Sequence, residues 1–124
     1  MSDSPVNLLE LAQRGGTGPI WATESDDLDC TFVAWGNGQG VVEHVNTEVD
    51  VVMVVLSGNG SVLLDGRSVD FSPGTVLMIP KEVSRAIHAG EGGVAYLNVH
   101  KRRKRLHLGN PATRIHGQQN LPRS

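Results

Sequence analysis

The sequence predicts an all-β domain of the sandwich or barrel type. Short valine-rich runs are separated by turn signals about every 8 to 12 residues, which is the spacing of such folds. The chain contains 15 glycines, and many of them fall between these runs. A length of 124 residues is enough for one domain with a single core.

A short helix is expected ahead of the strands, over residues 4–14. Ser4 is a suitable N-cap, Pro5 suits the first helical turn, and two glycines follow Arg14. An apolar stripe at helical spacing is expected to pack on the same domain or on a partner subunit, and it consists of Leu8, Leu9 and Ala12.

The predicted strands follow in order between residues 19 and 100. They are LDCTFVAW (28–35), VVEHVN (41–46), DVVMVVLS (50–57), SVLLD (61–65), RSVDFS (67–72), TVLMIP (75–80), VSRAIHA (83–89) and VAYLNVHK (94–101). The predicted turns are GNGQG, GNG, Asp65-Gly66, Pro73-Gly74 and GEGG. The Asp-Gly pair is the strongest hairpin signal among them.

The charge is distributed unevenly along the chain. Residues 1–100 contain all 13 acidic residues and four basic ones, a net charge of −9, whereas residues 101–124 contain seven basic residues and no acidic one. This predicts three parts: an N-terminal helix and linker (1–18), an acidic β domain (19–105) and a polar tail (106–124) that is flexible or bound to a partner.

Composition also indicates where the protein acts. The single cysteine, Cys30, excludes an internal disulfide and fits a reducing compartment, so a cytoplasmic location is expected. The N-terminus has neither a basic segment nor an apolar run of the signal-peptide type. No apolar run approaches the roughly 20 residues of a membrane span, and no membrane association is expected.

The order of turns and strands over residues 28–100 resembles the cupin superfamily. Cupins have two motifs: a glycine, a His-x-His pair, a glutamate and a glycine, then a glycine turn, an Ile-Pro step and a histidine. The first motif is matched by Gly40, His44 and Gly58, and the second by Gly66, Pro73-Gly74 and Ile79-Pro80. The resemblance implies a jelly-roll β-barrel.

The resemblance also implies four metal-ligand positions, three for histidine and one for glutamate. His44 occupies the first, but Asn46, Val51 and Arg85 stand at the other three. An amide oxygen is a weak ligand for a transition metal, and a guanidinium has no lone pair to donate. We therefore expect a pocket without a well-formed metal site. It would bind a small polar or anionic molecule through His44, Asn46, Asp50 and Arg85.

An alternative places one divalent transition metal on a non-standard ligand set of His44, Glu48 and Asp50. A one-residue slip in the apolar strand would turn Asp50 inward, and His88 or His100 are further imidazoles on other strands. The resemblance would then imply a dioxygenase, isomerase or decarboxylase. The sequence does not decide whether the protein is an enzyme.

The sequence has features that suggest macromolecular partners. The resemblance, the helix stripe and the apolar strand favour a homodimer. A run of five basic residues has three possible roles. It makes the segment soluble, it contacts the acidic body of the same or another subunit, or, less favoured, it contacts nucleic acid. The run consists of Lys101, Arg102, Arg103, Lys104 and Arg105.

Overall fold

The computed structural model describes residues 4–103, which form one short helix and seven antiparallel strands. In chain order these are α1 (Leu8–Arg14), β1 (Gly18–Glu24), β2 (Leu28–Trp35), β3 (Gly40–Val45), β4 (Val51–Leu64), β5 (Arg67–Phe71), β6 (Val76–Ile79) and β7 (Ser84–Lys101). The predicted all-β class is confirmed. Lys104, Arg105 and the predicted tail (106–124) lie outside the described residues.

The helix begins later than predicted. Its N-cap is Asn7 rather than Ser4, because the Asn7 side chain accepts a hydrogen bond from the backbone N–H of Glu10 at 3.1 Å. Gly15 ends it, as expected, with a φ of 76°. The helix packs its inner side on the outer face of the sheet through Leu8, Leu11 and Ala12. Within the described residues, no helix is long and apolar enough to cross a bilayer.

Two of the predicted turns are not turns. The GNG segment lies inside β4 and the GEGG segment lies inside β7. Each of these long strands therefore replaces two of the predicted strands. Gly58 has a φ of 76°, and a Cβ there would overlap the carbonyl oxygen of Gly93. These glycines therefore allow a bulge and a close approach between strands, not a chain reversal. The prediction also missed β1.

The two long strands fold the sheet into two packed layers. The layer formed by residues 51–58 of β4 and 94–101 of β7 also contains β1, β2 and β6. The layer formed by residues 60–64 and 85–89 also contains β3 and β5. Side chains of both layers meet in one core, which includes Val33, Met53, Val62, Phe71, Ile87 and Tyr96.

This arrangement is a jelly-roll sandwich, as the sequence predicts, but it is not a closed barrel. The hydrogen-bonded order is β1-β2-β7-β4-β5, and among the described strands β1 and β5 do not pair with each other. The Asp65-Gly66 hairpin between β4 and β5 is confirmed, with φ values of 49° and 83°.

Candidate functional site

β7 points Arg85 into the space between the two layers. Successive side chains of a strand face opposite sides, and Arg85 shares its side with the core residue Ile87. The Arg85 side chain is 0% exposed, which makes it the largest fully buried side chain of the described chain. A buried arginine is unusual, because removing a charge from water is costly unless a partner compensates.

The Arg85 guanidinium is only partly compensated. Its Nε donates to the carbonyl oxygen of Val83 at 2.9 Å, and its Nη2 donates to that of Pro80 at 2.7 Å. Its Nη1 is buried and has no hydrogen-bond partner among the described residues. Burial lowers the pKa of Arg85 below its ordinary value, and the nearby charge of Arg103 lowers it further.

Asn46 is the second buried polar residue of this region, at 8% exposure. Its Oδ1 accepts from the backbone N–H groups of Glu48 at 2.9 Å and Val49 at 3.3 Å, which shapes the turn between β3 and β4. Its Nδ2 is buried and has no partner among the described residues. The Asn46 carbonyl accepts from Glu82 N–H at 2.6 Å, so Asn46 lies against the loop that also binds Arg85.

Arg103 contacts Asn46 and the neighbouring Glu48. Its Nη1 lies 3.4 Å from Asn46 Oδ1 and donates to Glu48 Oε1 at 2.8 Å. The side chains of Arg103 and Glu48 are 29% and 54% exposed, so this ion pair lies at the surface. The site therefore has a buried cation, a buried amide and a surface ion pair.

His44 lies directly opposite Arg85 in the pairing of β3 with β7, after a register shift that follows Val41. Its side chain is half-buried, and its Nδ1 donates to the carbonyl oxygen of Val42 at 2.9 Å. This hydrogen bond places the proton of a neutral ring on Nδ1 and leaves Nε2 as the free acceptor.

The structure does not bring Asp50 into this cluster. Asp50 is exposed, and its Oδ1 accepts from the backbone N–H of Lys81 at 2.8 Å. The neighbouring Val51 is 0% exposed and faces the core, so the register that would turn Asp50 inward is not adopted. Glu48 is also exposed and is held by Arg103.

The side chains at the four family positions do not fit a transition metal. His44 is the only good donor among them, and the guanidinium of Arg85 would repel a cation. The alternative set of His44, Glu48 and Asp50 does not converge, and no group of three or more His, Cys, Asp or Glu residues suited to a metal occurs within residues 4–103.

The two further histidines that the sequence offers as imidazole ligands lie on β7. His88 is exposed and faces away from the core, opposite in direction to Arg85. His100 is 5% exposed and lies on the inner side of β7. Its Nδ1 donates to the carbonyl oxygen of Lys101 at 2.8 Å. Asn98, on the same side of β7, is also fully buried.

The described part of the basic run contacts the acidic body of its own chain. Arg102 pairs with Glu24 at 3.4 Å and donates to the carbonyl oxygen of Ser25 at 3.0 Å, while Arg103 pairs with Glu48. Self contact was one of the three predicted roles of the run. No local pattern predicts that Arg103 belongs to the site, because its contact with Asn46 depends on the path of the chain beyond β7.

No protein-family model and no curated protein matches this sequence. Many solved structures match in fold. A cupin protein from Bacteroides fragilis is 22% identical over 65% of this chain and 70% of its own, with a TM-score of 0.58. A cupin-2 domain containing protein from Shewanella frigidimarina is 17% identical over 78% and 94%, with a TM-score of 0.66. A Bacillus halodurans protein is 16% identical over 86% of both chains, with a TM-score of 0.70. These likenesses show a shared fold.

Proposed function

We propose that this chain, which has the cupin fold, binds a small anionic molecule against the buried guanidinium of Arg85 and does so without a transition metal. The observation that carries the proposal is the Nη1 of an arginine that is 0% exposed, for which residues 4–103 supply no hydrogen-bond partner. A fully buried charge with free donors favours an acceptor that brings a compensating charge.

The chain does not supply that compensating charge from its described residues. Their ion pairs join Arg102 to Glu24 and Arg103 to Glu48, and none involves Arg85. Asp50 is occupied with the backbone N–H of Lys81. An anion from solution would therefore meet a cation that no carboxylate already neutralises.

Asn46 supports the same proposal through its donor. The Nδ2 of Asn46 is buried and finds no partner in the described part of the chain, and its Oδ1 is fixed by two backbone N–H groups, so the amide orientation is set. Both unpaired groups are donors, which matches an acceptor such as a carboxylate and disfavours a metal ion. His44 lies beside Arg85 and offers Nε2 or, when protonated, a third donor.

Calorimetric titration with sodium acetate, malonate and phosphate, at constant ionic strength, tests the proposal. Neutral acetamide serves as the uncharged probe. We expect saturable binding of at least one anion and a rise in the melting temperature, since a ligand at 100 times its Kd adds about 2.7 kcal/mol to the free energy of unfolding. Arg85→Gln should abolish the binding, whereas Arg67→Gln, an exposed arginine on β5, should leave it unchanged.

Arg85→Gln removes a buried side chain and needs a second variant in case it does not fold. Asn46→Asp keeps the oxygen that accepts from Glu48 and Val49, removes the Nδ2 donor and adds a negative charge. It should fold and lose anion binding. Unchanged anion affinity in a folded Arg85→Gln or Asn46→Asp protein would overturn the proposal. So would one transition-metal atom per chain in protein purified without a metal column.

A further inference from the structure

We propose that the site selects a compact dianion, and that Glu48 occupies the place of the second anionic group until the ligand arrives. This rests on the proposed function, because Arg85 remains the anchor for the first anionic group. Arg103 is the residue that would bind the second group. The chemical class is a short dicarboxylate or a phosphate, each of which has two negative charges within a few ångströms.

The site contains two guanidinium groups, and among the described residues only one carboxylate contacts either of them. Arg103 Nη1 donates to Glu48 Oε1 at 2.8 Å and lies 3.4 Å from Asn46 Oδ1. Arg85 is deeper, and its Nη1 is unpaired. Arg103 contacts Asn46, whose carbonyl oxygen accepts from Glu82 N–H. Glu82 lies between Pro80 and Val83, the two residues whose carbonyls hold Arg85. The two cations therefore lie around the same loop; burial lowers the pKa of Arg85, and the charge of Arg103 lowers it further. One monoanion neutralises only part of this positive charge, whereas a dianion neutralises both cations.

The contact between Glu48 and Arg103 is suited to exchange with a ligand. Glu48 is 54% exposed and Arg103 29% exposed, and an ion pair this close to water contributes little net stability. The backbone N–H of Glu48 donates to the Asn46 side chain, and this hydrogen bond holds the turn. The Glu48 carboxylate can therefore move away from Arg103 without unfolding the turn. Arg103 then turns its free donors to the ligand as a two-pronged partner for an oxyanion.

Arg102 and Glu24 provide a matched control pair on the same chain. They form an ion pair at 3.4 Å, with exposures of 25% and 51% that resemble those of Arg103 and Glu48. Neither Arg102 nor Glu24 contacts Arg85 or Asn46 through a described hydrogen bond. Loss of one positive or one negative charge at this second pair changes the net charge of the protein equally and leaves the site intact.

The test compares affinities for malonate and phosphate with that for acetate, by calorimetric titration near pH 8 at constant ionic strength. The wild-type protein should bind at least one dianion about tenfold more tightly than acetate, the effect of one further charged hydrogen bond. Arg103→Gln should lose that preference, with a larger fall in the affinity for the dianion than in the affinity for acetate, while Arg102→Gln should keep both affinities. Glu48→Gln should bind the dianion several-fold more tightly than the wild-type protein, and Glu24→Gln should not.

The outcomes separate this inference from the proposed function. If acetate binds and requires Arg85, but neither dianion binds more tightly, the selection of a dianion is wrong and the anion site remains. The same holds if Arg103→Gln retains the wild-type preference or if Glu48→Gln and Glu24→Gln behave alike. If the wild-type protein binds none of the three anions, the proposed function itself is wrong. A preference for malonate over phosphate, or the reverse, identifies which of the two dianion types fits.

Discussion

Trp35 on β2 donates its indole N–H to the hydroxyl oxygen of Tyr96 on β7 at 2.9 Å. Tyr96 is 0% exposed and belongs to the core, while Trp35 packs on that core from a half-buried position. The hydrogen bond satisfies a polar group at the place where the two layers meet, so the core includes two large aromatic residues without leaving the indole N–H unpaired.

We expect Tyr96→Phe to lower the free energy of unfolding by about 1–2 kcal/mol, because the indole N–H of Trp35 loses its acceptor. Urea unfolding followed by Trp fluorescence measures the change. Since Tyr96 takes part in a further interaction as well, a double-mutant cycle with Trp35→Phe isolates the pair. A coupling energy near zero would show that the hydrogen bond contributes nothing to stability.

Two substitutions at Asn46 separate its role in folding from its role in binding. Asn46→Ala removes the oxygen that accepts from Glu48 and Val49 and should lower the free energy of unfolding by about 1–2 kcal/mol. Asn46→Asp keeps that oxygen and places a carboxylate beside Arg103, so it should be at least as stable as the wild-type protein at neutral pH. Chemical unfolding at low salt measures both. Equal destabilisation by the two substitutions would contradict the described hydrogen bonds.

The Gly58 position should not tolerate a side chain. A Cβ there would overlap the carbonyl oxygen of Gly93, and the φ of 76° is itself unfavourable for other residues. Gly58→Ala should therefore lower the free energy of unfolding by about 3 kcal/mol or more, since strain and overlap add. Gly38 has the same φ of 76° with open space around it, so Gly38→Ala measures the backbone cost alone. Equal losses at the two positions would mean that β4 and β7 separate easily.

Gly58 also shows what the sequence predicts and what it does not. A Gly-Asn-Gly segment is a good turn signal locally, and its actual role depends on Gly93, which is 35 residues away in a strand that only the tertiary fold brings close. The Asp65-Gly66 turn was predicted correctly because its φ values of 49° and 83° are a local requirement of the hairpin. Sequence patterns therefore predict a turn correctly where the backbone conformation of its own residues determines it, and not where a distant strand does.

The same distinction applies to the site. The position of Arg85 inside the domain follows from the order of the turns, and the structure places it at 0% exposure. Asp50 was expected beside it, but the apolar strand gives no information on register, and Val51 takes the inward position. A contact between the basic run and the acidic body was one expectation, but a place for Arg103 in the site was not predicted, because its contact with Glu48 joins residues that are 55 positions apart.

Cys30 should react slowly with alkylating reagents. Burial raises the pKa of its thiol and the neighbouring Asp29 charge raises it further, so less thiolate exists at pH 8 than in a free cysteine. Labelling by iodoacetamide at pH 8 should accelerate strongly in urea, and Cys30→Ser protein should not be labelled, because the chain has a single cysteine.

The sign of the linked stability change follows from the same shift in pKa. The folded state retains the thiol proton to a higher pH than the unfolded chain, whose thiol pKa is roughly 8.5. The protonated Cys30 thiol therefore adds its full contribution to the free energy of unfolding below that pH. This contribution is lost as the pH rises through the pKa of Cys30 in the folded state. Equal labelling rates for folded and unfolded protein at pH 8 would contradict this account.

The outer face of β6 is the part of the surface where we expect a second copy of the chain. Val76 and Met78 are 61% and 58% exposed, and they lie beside Val54 and Val52 of β4 in the same layer. An apolar strip of this kind on an outer strand favours association. The protein should therefore run as a homodimer in size-exclusion chromatography with light scattering. The double substitution Val76→Lys and Met78→Lys should give a folded monomer.

Val42 supplies the matched control for this prediction. It is 82% exposed on β3, in the other layer, so its apolar side chain lies away from the β6 strip. Val42→Lys adds the same kind of charge and should leave the dimer intact. A monomeric wild-type protein at micromolar concentration would refute the prediction. Loss of the dimer in Val42→Lys with retention in the β6 variant would move the interface to the layer that contains β3.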